Sequence, residues 1–251
     1  TTLPIANGFY KSNSLPLSAQ ECLNWFPHIP QAASLSDAAL FATPGITQIA
    51  TSGVDANRGS EAMGGIPYFV QGGTLYEMDA DGVLTSRGTI AGDGEVWMVG
   101  NGTQLCILTP GGAGYIYTPA DTTLTQITDG DFTANGSPLA LAFVDGYFVF
   151  TTDQKKFIIS ALNDGLSYNA LDFGSAESSP DGVVAPVVFK NQLFIVGETT
   201  AEGFSNIGGA AFPFQRSGLF LDEGAAAAFS VVPGSETFMW VGGGDNETAA
   251  V

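Results

Sequence analysis

Ile66-Pro67-Tyr68-Phe69-Val70-Gln71-Gly72-Gly73-Thr74-Leu75-Tyr76-Glu77-Met78 places two short runs of aromatic and aliphatic residues on either side of a glycine pair. Gln71-Gly72-Gly73 is a typical tight-turn string, so the stretch reads as two antiparallel strands. The theme returns downstream, about five times in all. Gln104-Leu105-Cys106-Ile107-Leu108 is followed by Gly114-Tyr115-Ile116-Tyr117, and Gly146-Tyr147-Phe148-Val149-Phe150 by Lys156-Phe157-Ile158-Ile159-Ser160. A fourth pair opens at Gln192-Leu193-Phe194-Ile195-Val196-Gly197 and a fifth at Phe238-Met239-Trp240-Val241-Gly242.

The steps from Phe69 to Ile107, Phe148, Phe194 and Met239 are roughly 40 to 45 residues each, the length of one four-stranded propeller blade. Further strands fit between the marked pairs at Glu95-Val96-Trp97-Met98-Val99, at Leu139-Ala140-Leu141-Ala142-Phe143 and at residues 183–189. The spacing therefore predicts an all-β, β-propeller-like array of about five four-stranded blades over residues 46–251. A β-sandwich or solenoid with coincidentally even spacing is the competing architecture. Because Thr248-Ala249-Ala250-Val251 falls in the second strand of the last hairpin, the array is expected to be incomplete at the C-terminus. The chain then reads as an N-terminal fragment of a longer one.

Working back toward the start, residues 1–45 carry Pro4, Pro16, Pro27, Pro30 and Pro44 with no sustained periodicity, which predicts an extended N-terminal arm. Phe9, Tyr10, Leu23, Trp25 and Phe26 are too apolar for a free tail, so the arm should pack along the domain or against a neighbouring subunit.

Composition supports the strand reading: 33 glycines and 18 phenylalanines accompany only 13% charged residues. The net charge of −18, from 25 acidic against 7 basic residues, would repel a phosphate backbone and argues against direct nucleic-acid binding. Dispersed carboxylates also keep a Gly-rich β protein soluble. No run approaches the length of a membrane span, and no basic-then-apolar leader opens the chain. The reading is a soluble protein made in the cytosol. Cys22 and Cys106 are too few for a disulfide framework, and Cys106 sits in an apolar run as a small hydrophobe.

Candidate chemistry is sparse. His28 lies in Pro27-His28-Ile29-Pro30 with no nucleophile elbow nearby, and one His with two scattered Cys gives no zinc spacing. Asp79-Ala80-Asp81-Gly82 and Asp129-Gly130-Asp131 resemble the opening of calcium loops without the distal Glu, and read better as turns. Ser160-Ala161-Leu162-Asn163-Asp164-Gly165-Leu166-Ser167-Tyr168 has the flavour of the Asp-box turn of sialidase-like propellers, with one residue too many and Tyr in place of Trp. A sialidase also needs clustered arginines for the sugar carboxylate, and only Arg58, Arg87 and Arg216 are present. No catalytic, cofactor-binding or metal residues, and no cofactor, are expected.

Several strings resemble the packaged-DNA stabilisation proteins, or tail accessory factors, of short-tailed phages. They begin with Asn24-Trp25-Phe26-Pro27, Thr43-Pro44-Gly45-Ile46, Arg58-Gly59, Tyr68-Phe69-Val70 and Gly73-Thr74-Leu75-Tyr76. They continue in Asn101-Gly102-Thr103-Gln104-Leu105, in Val144-Asp145-Gly146 with Tyr147-Phe148-Val149-Phe150, and in residues 160–168. The last are Leu171-Asp172-Phe173, Ala176-Glu177, Ser179-Pro180-Asp181 and Phe212-Pro213-Phe214. The resemblance covers nearly the whole chain in order, and family members look markedly longer.

What the resemblance implies is a non-enzymatic virion protein of the tail. It would dock below the portal and its adaptor ring, help retain packaged DNA, form part of the exit channel and help attach tail fibres or spikes. It would assemble as a hexameric ring, with no sequence-specific nucleic-acid binding and no membrane insertion. An acidic channel lining would let DNA slide without sticking. The alternatives are a glycan-binding or sialidase-like propeller, and an adhesion or scaffold protein of the same fold.

Overall fold

The computed structural model describes residues 24–28, 39–53, 56–176, 181–209 and 212–243. The chain divides into two compact units, Thr1–Ile49 and Ala50–Val251. In the first, β1 (Trp25–His28) pairs antiparallel with β2 (Ala39–Ala42), and Asn24 O accepts from Thr43 N at 2.9 Å and Thr43 Oγ1 at 3.2 Å. Within the stretch read as the arm, these two strands thus pair with each other. Phe9, Tyr10, Cys22 and Leu23 lie outside the described residues.

The second unit is built from four meandering sheets. Blade 1 holds β3 (Asn57–Met63), β4 (Ile66–Gln71), β5 (Thr74–Met78) and β6 (Leu84–Thr89); blade 2 holds β7 (Trp97–Gly100), β8 (Leu105–Leu108), β9 (Gly114–Thr118) and β10 (Thr123–Gln126). Blade 3 holds β11 (Pro138–Val144), β12 (Tyr147–Thr152), β13 (Lys156–Ala161) and β14 (Asp164–Ser175); blade 4 holds β15 (Val183–Phe189), β16 (Gln192–Gly197), β17 (Ala201–Asn206) and β18 (Phe214–Leu221). The first strands lie side by side, β3 against β7, β7 against β11 and β11 against β15, which makes them the inner strands of a propeller.

Three of the four inner hairpins turn in two residues with positive φ at both, the geometry that matches strand twist. Between β11 and β12 these are Asp145 (φ 51°) and Gly146 (φ 89°). Between β15 and β16 the pair is Lys190 and Asn191, non-glycine residues held at φ 48° and 60°.

Three hydrophobic clusters lie between blades, because each sheet buries a face against its neighbour. Tyr68, Val70 and Leu75 of blade 1 meet Ile107, Tyr115 and Tyr117 of blade 2. Cys106, Leu108 and Ile116 of blade 2 meet Leu141, Phe148 and Phe150 of blade 3. Phe157 and Ile159 of blade 3 meet Ile195, Phe204 and Phe214 of blade 4.

The first strand of the predicted fifth pair, Phe238 to Gly242, is divided. Phe238–Met239 (β21) pairs with Val232–Pro233 (β20), while Gly242–Gly243 (β22) pairs with Gly224–Ala225 (β19). Proline removes a ladder donor and glycine weakens pairing, which accounts for bridges this short. This segment caps blade 4: Ala225 and Val231 join Ala185, Val187 and Val196 in a fourth cluster, flanked by Phe238 and Trp240. Residues 248–251 lie outside the described residues.

Candidate functional site

Several of the strings that stood out in the sequence come together where blades touch. Arg58, 6% exposed, is bound entirely to carbonyls: Nε donates to Gly94 O at 2.6 Å, Nη1 to Gly72 O at 3.0 Å and Ile90 O at 3.3 Å, and Nη2 to Ala91 O at 3.0 Å. One guanidinium thereby ties β3, the β4–β5 turn and the connection to blade 2. Burial lowers its pKa, with Asp93 opposing. Beside it, a Cβ on Gly59 would stand 2.7 Å from Val96 Cγ2 and 2.8 Å from Val96 O, so only glycine lets the connection pass this closely.

A second polar bolt joins the same blades. Arg87 Nε and Nη2 donate to the two oxygens of Glu77, each at 3.0 Å, and Tyr117 Oη of blade 2 donates to Glu77 at 2.9 Å. The Arg87 hydrogen bonds hold the Glu77 carboxyl below its ordinary range, Tyr117 adds to that and burial opposes it. Burial, followed by the bond to Glu77, pushes the Tyr117 hydroxyl up.

Between blades 2 and 3, Asn101 Oδ1 accepts from Thr103 N and Gln104 N, closing the β7–β8 turn. This aims Gln104 Oε1 at Gly165 N, which donates at 2.9 Å. Residues 160–168, the Asp-box-like string, span the β13–β14 hairpin: Asp164 Oδ1 accepts from Leu166 N, and the buried Tyr168 hydroxyl donates to Gly165 O at 2.9 Å. Phe132, Phe150 and Tyr168 form an aromatic triad with centroids 4.8 to 6.0 Å apart. Between blades 3 and 4, Phe157 packs edge-on to Phe204 at 4.8 Å and lies 5.5 Å from Phe212. Glu177, Ser179 and Pro180 lie outside the described residues.

The carboxylates are largely turn ligands. Asp79 Oδ1 accepts from Asp81 N and Val83 N; Asp129 accepts from Asp131 N and, through its other oxygen, from Tyr168 N at 2.9 Å. Those N–H groups hold the Asp129 carboxyl below its ordinary value. Asp181 Oδ2 accepts from Thr199 N and Thr200 N. Both calcium-like strings are thus tight turns that use their own carboxylates. Among the described residues no group of three or more His, Cys, Asp and Glu side chains is arranged to hold a metal ion.

Acid does not line the propeller axis. Of the residues in β3, β7, β11 and β15, Glu61 alone is acidic, and burial pushes its carboxyl up. A strand around the axis presents its side chains to neighbouring blades, whereas turns present theirs to water.

The three arginines do not form a carboxylate clamp either. Arg58 and Arg87 are used as described, and Arg216 Nε meets Glu202 at 3.1 Å while Nη2 donates to Ser175 O. His28 is exposed on β1, its ring edge-on to Phe41 at 5.6 Å. Cys106 is a buried free thiol whose pKa burial raises.

Open clefts lie among the described residues. One of about 320 Å³ lies among Asn57, Ser60, Glu95, Trp97 and Phe229, where Phe229 stacks on Trp97 at 4.7 Å and 17°. Another, of about 300 Å³, lies along β18 and is lined by Glu202, Arg216, Leu219 and Phe220. Sequence reasoning missed both: the first joins residues as far apart as Asn57 and Phe229, and the second depends on the irregular register between β17 and β18.

The family described as bacteriophage P22 Gp10, beta-propeller, matches residues 1–251. The chain belongs to that family. The Gp10 family is one of phage packaged-DNA stabilisation proteins of the β-propeller type. No curated protein matches.

Among solved structures the chain is similar to YCF48 bound to D1 peptide, with TM-score 0.50 and 14% identity over 72% of this chain and 58% of that one. It is also similar to the N-terminal domain of Nup159, with TM-score 0.46 and 12% identity over 75% and 52%. At such identities the likeness to YCF48 concerns the fold alone. The Gp10-family chain thus spans 58% and 52% of the lengths of these two structures.

Proposed function

We propose that this Gp10-family chain is a non-enzymatic structural part of a short phage tail that docks below the portal and adaptor complex. There it helps retain packaged DNA, forms part of the exit channel and offers attachment points for tail fibres or spikes. The observation that carries the reading is the family match along the whole chain. Support comes from the placement of the family-like strings, which serve blade junctions and turns, as expected of a protein whose product is a rigid shape.

A hexameric ring of such propellers would bring turns, rather than inner strands, toward a central channel. The turns carry most of the described acid, for example Asp79, Asp129, Asp145 and Asp181, which disfavours adhesion of a DNA backbone. The sugar-cleaving alternative loses its main requirement, because the arginines are engaged apart from one another.

Electron microscopy of the protein mixed with portal and adaptor proteins from the same genome tests the proposal. A ring stacked below the adaptor is expected, together with DNA loss from particles made without the protein. Absence from purified virions, with a signal on a glycan array, would overturn it.

A further inference from the structure

In an Asn-Gly pair the side-chain amide lies open to attack by the next backbone nitrogen, because glycine puts no Cβ beside the approaching groups. The sequence holds Asn7-Gly8, Asn101-Gly102 and Asn135-Gly136. Asn7-Gly8 lies outside the described residues, and the other two sit in contrasting surroundings.

Asn135 is buried, and both ends of its amide are tied: Nδ2 donates to Ala170 O at 2.8 Å and Oδ1 accepts from Lys156 Nζ at 3.0 Å. The attacking group is tied as well, since Gly136 N donates to Thr133 O at 3.1 Å. The β7–β8 turn is arranged differently. Gly102 is exposed, no atom stands within 4 Å of where its Cβ would be, and its N–H makes no backbone hydrogen bond among the described residues. Asn101 Oδ1 accepts from Thr103 N at 2.9 Å, Thr103 Oγ1 at 3.0 Å and Gln104 N at 2.6 Å. Three donors on one carbonyl oxygen draw electrons from Cγ and stabilise the oxyanion that forms when Cγ is attacked. Asn101 Nδ2 is buried with no hydrogen-bond partner among the described residues, so its departure removes an unsatisfied donor.

We propose that Asn101 is a site of spontaneous deamidation in the folded chain, and that Asn135 is protected. Gly102 N gives its proton to hydroxide and bonds to Asn101 Cγ; Nδ2 takes a proton from water and leaves as ammonia, closing a succinimide. Water then opens the ring at either carbonyl, giving aspartate or isoaspartate, and no oxidant or reductant is needed. The two products act differently on the junction of blades 2 and 3. Aspartate keeps an oxygen for the same three donors. Isoaspartate adds a carbon to the main chain and takes the acceptor out of its place, so Gln104 is no longer aimed at Gly165 N.

The test is mass spectrometry, peptide by peptide, of the whole chain aged warm at mildly alkaline pH, both native and in urea. In the native chain the Asn101 peptide should exchange amide for acid roughly tenfold faster, or more, than the Asn135 peptide, whose reaction waits for local unfolding. In urea the two should convert at similar rates, and an isoaspartyl methyltransferase should label the Asn101 product. Thr103→Val, which removes the Oγ1 donor alone, should slow the native reaction and leave the rate in urea unchanged. A native Asn101 peptide as inert as the Asn135 peptide, with both converting in urea, would overturn the proposal. A native Thr103→Val rate equal to or above the parent's would overturn the part given to the three donors.

Discussion

Blade 1 and blade 3 share one topology and differ in what holds them. In blade 1, β4 alternates, with Tyr68 and Val70 buried and Ile66 exposed, because among the described residues another blade packs on only one face. In blade 3, every residue of β12 from Phe148 to Thr152 is buried, as are Phe157 to Ser160 of β13, because blades lie on both sides. Blade 1 is fastened by Arg58 and the Glu77–Arg87–Tyr117 bolt, blade 3 by packed aromatic rings. Position in the stack therefore sets composition: a sheet with one covered face has room for polar fastening, and one sandwiched between sheets relies on close packing.

The sharpest way to break the aromatic side of this contrast is Phe157→Ala. Removing a fully buried ring at the blade 3–4 junction should cost about 4 kcal/mol, read from chemical denaturation. On the polar side, Arg58→Ala strands buried carbonyls and should cost about 3 kcal/mol; Arg58→Lys, lacking the planar fork, should recover less than half of that. Gly59→Ala presses a methyl group onto Val96 O and should cost about 2 kcal/mol, while Gly64→Ala, with open space around its Cβ, should show only the milder strain of its left-handed φ.

The smallest effect sharpens the comparison through pH. Glu77 has a carboxyl held below its ordinary value of 4.5, so its bolt contributes stability above that value and loses it as pH falls through the folded-state pKa. Glu77→Gln should cost about 1 kcal/mol at neutral pH, and the difference from the parent should close in acid. A gap that persisted unchanged at low pH would mean that the bolt works by shape rather than charge.

Much of the fold was legible locally. The pairs around Gln71-Gly72-Gly73 and Asp145-Gly146 announce themselves through turn residues flanked by apolar runs, and β4–β5 and β11–β12 form there. The region after Leu221 was not legible in this way. Phe238 to Gly242 has the composition of a strand, but its partners, Val232–Pro233 and Gly224–Ala225, are too short and too rich in proline and glycine to sustain one ladder. The junction residues were half legible: Arg58, Gln104 and Tyr168 stand in the family-like strings, but nothing local in those strings gives their partners.

What the sequence determined alone is the repeating unit: short apolar strands, turns that require left-handed residues, and a step of one blade. Those are local preferences, decided within a few residues. Tertiary structure decided which blade is covered on both faces, that Arg58 is buried among carbonyls, that most named carboxylates bind turn N–H groups, and that β18 is left bare. Apart from the turn carboxylates, which mostly bind N–H groups two to four residues away, these depend on contacts between residues far apart in the chain, set by how the sheets stack.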